Sequence, residues 1–298
     1  MTTMFQGTWP ALITPTSTDG GVNFTALREL VEYLLAKRVD GFYVCGATGE
    51  GIFMSVEERK QVIEVVKQCV QGRVPLIVHV GCVSTRDAMT LAGHAAETGV
   101  DGISSLLPLL PNSAESARLH YTSIASSAQG LPFFPYLYGG QVDAVTLMRD
   151  LSQRIPNIAG AKYTGSNMFE LRQLLDLAEN RWTIFSGMDE QCSFAAMFGA
   201  PGHIGSTLNL MPGVYRQMRL CIARGDLSSA RDLQMRANRV IAELIAFGFF
   251  GALREAIRML GFDCGEPRLP NLPLAAERRG ALREALSAAG FAELTAIE

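Results

Sequence analysis

Along the chain, short apolar runs alternate with longer stretches in which apolar residues recur every three or four positions. The runs are WPALITP (9–15), GFYVCG (41–46), PLIVHVG (75–81), GISSLLP (102–108), LPFFPYLY (131–138), IAGAKYT (158–164), WTIFSGM (182–188) and GHIGST (202–207). Each is short, rich in β-branched or aromatic residues, and bounded by Gly, Pro or Asn. That pattern predicts buried strands. Between them lie helical patterns. Residues 24–37 place Leu27, Leu30, Val31 and Leu34 on one face, and residues 56–70 begin after Ser55 with Glu58 three positions on, a capping-box signature. Further helices are predicted near 85–97, 114–128, 143–154, 168–178, 189–199 and 213–224.

Eight strand-then-helix units in series imply parallel strands with helical crossovers. Eight is also the count at which such a sheet closes, so residues 1–226 are expected to form a (β/α)₈ TIM barrel, an α/β fold. Residues 227–246, 250–261 and 275–289 read as helices, with GEPRLPNLP as a break. The segment 227–298 is therefore expected to be a C-terminal helical extension packed on the barrel rather than an independent domain. The alternative is a doubly wound open sheet, which would want a GxGxxG turn after an early strand; none occurs there.

Composition narrows the function classes. With 48% hydrophobic and 18% charged residues the chain has enough apolar material for a large core, and disorder is not expected. The net charge is −3 with both signs mixed along the chain, so neither nucleic acid nor an anionic membrane surface is expected as a partner. Cys45, Cys69, Cys82, Cys192, Cys221 and Cys264 form no CxxC pair and no zinc-type Cys/His cluster, which suits free thiols in a reducing cytoplasm. The opening MTTMFQGTWPALITPT lacks a basic region followed by an apolar core, and no apolar run is long enough to span a bilayer. His79, His94, His120 and His203 are scattered and are given no metal role.

In barrels of this type the reactive side chains sit at the C-terminal ends of strands. The sixth strand ends in Ala-Lys162-Tyr-Thr, whereas Lys37, Lys60 and Lys67 fall in helical segments. A partly desolvated lysine at a barrel mouth keeps some free amine, which attacks a ketone to give an imine. The plainer alternative is a snorkelling or ion-paired lysine. The fifth strand ends near Tyr136 and Tyr138, which alternation places on one side. A phenol there can shuttle protons, or simply pack. In Gly46-Ala47-Thr48-Gly49-Glu50-Gly51 close glycines let backbone N–H groups converge on an anion, with Thr48 adding a hydroxyl; a plain turn is the other reading. Asp189 and Glu190 follow the seventh strand, as polyol acceptors or as a helix cap and its first turn.

The landmarks GATGE (46–50), the tyrosine ending LPFFPY (131–136), GAK (160–162) and GST (205–207) occur together at separations that are specific as a set. Over nearly its whole length the chain resembles the N-acetylneuraminate lyase and dihydrodipicolinate synthase superfamily of class I aldolases. The resemblance implies that Lys162 is the Schiff-base lysine and Tyr136 the proton-transferring tyrosine. It implies that Ala47 and Thr48 hold the substrate carboxylate and that Gly205 lies beside the pocket. Within the superfamily the lyase branch fits best: SGMDE (186–190) resembles the segment whose Gly187, Asp189 and Glu190 bind sugar hydroxyls, and Thr164, Ser206 and GEPRLPNLPL (265–274) match as well. The resemblance further implies a homotetramer, a small 2-oxo acid substrate, and no cofactor beyond the covalent imine on Lys162.

Departures from the family patterns matter too. Dihydrodipicolinate synthases carry an arginine soon after the catalytic tyrosine and a tyrosine in the loop after the fourth strand; here LYGGQV (137–142) and LPLLPN (107–112) have neither. Lyases usually read Tyr-x-x-Pro after the tyrosine, and many have Ser or Thr at the position of Ala47; here that proline is missing and the loop is about two residues short. The leading expectation is reversible cleavage of N-acetylneuraminate to pyruvate and N-acetylmannosamine. The alternatives are an aldolase or dehydratase for another 2-oxo-3-deoxy sugar acid, dihydrodipicolinate synthase itself, and a catalytically silent sugar-acid binding protein. A pyridoxal phosphate enzyme would want a phosphate cup and a partner for the ring nitrogen, and the sequence offers no such set.

Overall fold

The computed structural model describes residues 3–108, 113–140 and 142–298. Strands β1 (Gly7–Pro10), β2 (Phe42–Val44), β3 (Leu76–His79), β4 (Gly102–Leu106), β5 (Phe133–Tyr138), β6 (Gly160–Thr164), β7 (Thr183–Ser186) and β8 (Gly202–Gly205) pair in parallel in the order β1-β8-β7-β6-β5-β4-β3-β2. The ends of this sheet meet: the Leu12 N–H donates to the Tyr43 carbonyl at 2.9 Å, and Ala11 bridges Tyr43 in parallel. Helices α1 (Phe24–Ala36), α2 (Val56–Val70), α3 (Thr85–Thr98), α4 (Ala114–Ser126), α5 (Ala144–Arg154), α6 (Met168–Ala178), α7 (Cys192–Met197) and α8 (Pro212–Ala223) follow the strands in turn. This is the expected TIM barrel.

Strand alternation divides the core in two. Trp9, Tyr43, Ile77, Phe134, Tyr136, Phe185 and Ile204 point inward and fill the barrel as one cluster. Their strand neighbours Phe42, Val44, Val78, Phe133, Leu137 and Ile184 belong to the second cluster, shared with the helices. Helices α1 to α6 begin at side-chain caps: Asn23, Ser84, Ser113, Asp143 and Asn167 each accept from the backbone three residues on, and Ser55 with Glu58 completes the capping box read from the sequence.

One predicted helix is corrected. Residues 189–199 are not continuous: Asp189–Gln191 form a 3₁₀ turn, α7 spans only Cys192–Met197, and Gly199 at φ +94° follows. The break falls where the Asp189 side chain is drawn away toward the loop after β8. The C-terminal segment comprises α9 (Leu227–Ala246), α10 (Phe249–Met259), α11 (Arg279–Ala288) and α12 (Phe291–Ala296), the last not anticipated from the sequence.

Two of these helices reach the barrel mouth. From α9, Gln234 accepts from the Ser193 N–H at 2.8 Å and donates to the Asp189 carbonyl at 3.0 Å, and Asn238 donates to the Glu190 carbonyl at 3.2 Å. From α10, Arg254 pairs with Glu50 at 2.5 Å and donates to the Thr14 and Cys264 carbonyls. The other Glu50 oxygen accepts from the Arg268 N–H at 3.0 Å and from Asn271 at 2.7 Å. Glu50 and Arg254 are 1% and 2% exposed, so their charges are stable there only as a pair. Glu50→Ala should therefore destabilise the fold by about 3–5 kcal/mol, because it strands a buried guanidinium. Urea unfolding checks this, and a loss below about 1 kcal/mol would mean that the pair is not buried as described.

Candidate active site

Lys162 is the third residue of β6, flanked in register by Tyr136 on β5 and Phe185 on β7. All three point into the barrel near its C-terminal rim. The Lys162 Nζ lies 4.3 Å from the Tyr136 ring centroid and 4.5 Å from that of Tyr43, and the residue is 5% exposed. Two effects compete. The aromatic faces favour the ammonium by about 0.5–2 kcal/mol each. Desolvation disfavours it and wins, pushing the group from 10.5 down to about 7, with the Asp189 carboxylate drawing it partly back up. An ordinary lysine at neutral pH is free amine in only about 1 part in 3,000; the lowered value raises that share by orders of magnitude. Among the described residues the other lysines are engaged elsewhere: Lys37 on the Thr295 carbonyl, Lys60 on Glu57, Lys67 on the Gly99 carbonyl.

Burial pushes the Tyr136 phenol above its usual range, tempered by nearby Thr164, so it stands as a neutral donor. Tyr138 is on the same side, its ring 6.4 Å from that of Tyr136, but half exposed above it. Thr164 is two residues after Lys162 on the same face, and its hydroxyl is buried without a hydrogen bond of good geometry. Gly187 completes this wall. A Cβ there would overlap Thr164 Oγ1 and come within 3.2 Å of Lys162 Cε, so the placement of the Thr164 hydroxyl beside the lysine depends on a missing side chain.

The turn after β2 supplies the second part. Glu50 and Gly51 return their N–H groups to the Ala47 and Gly46 carbonyls. Among the described residues those of Ala47 and Thr48 have no acceptor, as an anion cradle requires. Thr48 Oγ1 pairs with Ser206 Oγ at 2.6 Å, which joins this turn to the loop after β8.

Asp189 is engaged by the strand and loop beside it. Its Oδ1 is 2.7 Å from His203 Nε2, and its Oδ2 accepts from the Thr207 N–H at 2.7 Å and hydroxyl at 2.8 Å. Burial alone would raise this carboxyl, but attraction and hydrogen bonding from His203 and Thr207 hold it below the usual range. It is not the cap of its own helix; it anchors the start of the 3₁₀ turn Thr207–Asn209 across the gap. Gly205 makes this possible, since a Cβ there would overlap Asp189 Oδ1. Half-buried Glu190 is the freer carboxylate, with no hydrogen-bond or ion-pair partner for its side chain among the described residues.

Three side chains that shape the site escaped the sequence reading. Tyr43, whose hydroxyl pairs with Ser104 at 2.9 Å, forms one of the two faces over Lys162. His79 ends β3, and its Nε2 accepts from the Leu106 N–H at 2.9 Å. Burial, with Arg59 and Lys162 nearby, pushes its pKa well down, so it is a neutral wall. Its strand-end position was a signal of the kind used for Lys162. The third is His203, the partner of Asp189. Leu109–Asn112, part of the leucine loop that argued against the synthase activity, and Gln141 lie outside the described residues. No group of His, Cys, Asp and Glu among the described residues is suited to hold a metal ion, and no helix among them is long and apolar enough to cross a membrane.

A sequence profile of the Dihydrodipicolinate synthetase family matches residues 4–289. The chain belongs to that family. It is 34% identical to the N-acetylneuraminate lyase of Rhizobium meliloti over 285 residues, which cover 95% of this chain and 94% of the relative. The fold superposes on a catalytic-lysine mutant of the sialic acid aldolase of Ruminococcus gnavus with a TM-score of 0.94, at 27% identity and covering 98% of each chain. It also matches the N-acetylneuraminate lyase of Fusobacterium nucleatum complexed with pyruvate, with a TM-score of 0.90, at 25% identity, covering 96% of this chain and 98% of the other. As a member of the dihydrodipicolinate synthetase family the protein is a class I aldolase.

The burial of Lys162 has a measurable signature. In a ¹³C NMR titration of the lysine Cε carbons, one resonance should titrate with a midpoint of about 7 and disappear in Lys162→Met. The Asp189 carboxylate stabilises the ammonium, so Asp189→Asn should move that midpoint to lower pH. A midpoint near 10.5 would mean that Lys162 is hydrated.

Proposed function

We propose that this aldolase cleaves N-acetylneuraminate reversibly to pyruvate and N-acetylmannosamine. The observation that carries the reading is the buried Lys162 amine, its charge disfavoured by desolvation, lying beside the ring of Tyr136, its register partner. The substrate class is supported by the relatives, named as N-acetylneuraminate lyases and matched over nearly full length. In the cleavage direction the Lys162 amine adds to the C2 ketone of the open-chain sugar acid and water leaves, giving a protonated imine. The carboxylate sits on the free N–H groups of Ala47 and Thr48. The C4 hydroxyl gives up its proton through Tyr136, which passes its own to that carboxylate. The C3–C4 bond breaks, its electrons move into the iminium to make an enamine, and the aldehyde departs. Reprotonation at C3 and hydrolysis release pyruvate and restore the amine.

The hydroxylated part of the substrate lies, in this proposal, against Thr164, Gly187, Glu190, Ser206 and the turn fixed by Asp189. A cytoplasmic homotetramer remains our expectation from the resemblance. Phe194, Met197 and Met235 are large apolar side chains exposed on α7 and α9, a surface that subunit contact would cover.

Pyruvate release from a panel of 2-oxo acids tests the assignment. N-acetylneuraminate should give the highest kcat/KM, and preferential cleavage or dehydration of a shorter 2-oxo-3-deoxy sugar acid would replace it. In Tyr136→Phe, imine formation on Lys162 should persist while kcat falls about 10²–10⁴-fold, the share typical of a positioned proton-transfer group. An unchanged kcat would move the proton to Tyr138 or to water.

A further inference from the structure

We propose that His203 is a positioning residue for the aldehyde side of the site: buried behind the barrel wall, it fixes Asp189 and thereby sets the Gly187–Glu190 turn against Ser206. The proposal rests on the aldolase reading above and adds to it a determinant of sugar-acid binding.

His203 lies in β8, where Ile204 faces the barrel interior and its neighbours face the helices. The imidazole is fully buried and stacked on Tyr215 of α8, with ring centroids 5.5 Å apart and planes at 22°. Each ring nitrogen has a partner on the neighbouring strand or its loop. Nδ1 is 2.8 Å from Ser186 Oγ at the end of β7, and Nε2 is 2.7 Å from Asp189 Oδ1. Because Asp189 is held as a carboxylate, Nε2 is the donor in that bond.

The chain of contacts then returns on itself. Asp189 Oδ2 accepts from the Thr207 N–H and hydroxyl, Thr207 Oγ1 pairs with the Tyr215 hydroxyl at 2.5 Å, and Tyr215 stacks on His203. The ring of contacts therefore ties β7, β8, both of their loops and α8 together. From the opposite side α9 holds the same residue by its backbone, through the Gln234 bond to the Asp189 carbonyl.

The position of this ring matters for substrate. One residue before Thr207 is Ser206, whose hydroxyl meets Thr48 of the carboxylate cradle. One residue after Asp189 is Glu190, with its carboxylate unengaged among the described residues. Fixing Asp189 to Thr207 thus fixes Glu190 and Ser206 relative to each other. A carboxylate offers about four acceptor positions. Three of those on Asp189 are occupied from behind, so its side chain serves as framework with at most one position left for a sugar hydroxyl. A buried polar network in which every member is partnered specifies one arrangement, and removing one member loosens the rest.

The test uses two substitutions that divide the imidazole's contacts. His203→Gln places a donor near the Nε2 position and can keep Asp189, whereas His203→Asn is too short for that and can keep only Ser186. Three quantities are read on the full-length protein: borohydride trapping of pyruvate on Lys162, kcat and KM for the sugar acid that the wild type cleaves best, and the melting temperature. His203→Asn should raise KM for the sugar acid at least tenfold while pyruvate trapping stays within about twofold, and His203→Gln should recover most of the loss. If His203→Asn does not fold, Thr207→Val removes the hydroxyl bond to Asp189 from the other side and should raise the same KM with trapping intact. Equal losses in trapping and cleavage, a lowered melting temperature with unchanged sugar-acid kcat/KM in the folded protein, or no difference between the Gln and Asn variants would overturn the proposal. Absence of a pyruvate adduct in the wild type would instead count against the Lys162 reading itself.

Discussion

The desolvated amine of Lys162 is the constraint on which the rest of the site depends. A lysine in water is almost wholly protonated at neutral pH and cannot attack a ketone. Placing Nζ between the rings of Tyr43 and Tyr136 at the closed rim of the barrel removes most of its hydration, and the return from the two aromatic faces is too small to restore the charge. Two backbone facts permit this. Parallel pairing puts Lys162 in register with Tyr136 and Phe185, and Gly187 leaves the space that the Thr164 hydroxyl occupies beside the lysine stem.

Around that amine the barrel separates two kinds of polar group. The mouth of the barrel carries groups left without partners among the described residues, the Thr164 hydroxyl and the N–H groups of Ala47 and Thr48, beside the Tyr136 phenol. The layer between strands and helices carries groups that satisfy one another, above all Ser186, His203, Asp189, Thr207 and Tyr215. The C-terminal helices connect with both. Arg254 ties the cradle turn down through Glu50, and Gln234 and Asn238 brace the turn that bears Glu190. The loops at the barrel mouth are thus anchored from outside the barrel, as a site that must hold its groups to a fraction of an ångström requires.

The strand count, the cap of α2 and a lysine buried at a strand end were legible because each leaves a local mark. Lys162 alone among four lysines follows an apolar run, and Ser55 with Glu58 announces α2. What could not be read depends on pairing between distant segments. An aromatic at position 43 looks the same whether it packs or covers an amine. His203 and Asp189 are 14 residues apart, and only the parallel pairing of β7 with β8 brings them together. The same pairing makes Asp189 an anchor for Thr207 rather than a helix cap, and it broke the helix expected over 189–199. Glu50 stood in a recognisable motif, yet its role depends on Arg254, more than two hundred residues away.

In the proposed reaction one lysine, made nucleophilic by its burial, carries the chemistry. Peptide mapping by mass spectrometry after incubation with pyruvate and borohydride tests it most directly. A single reduced pyruvyl adduct is expected, on the peptide containing Lys162 and absent from Lys162→Met. An adduct on Lys37, Lys60 or Lys67, or none at all, would contradict it.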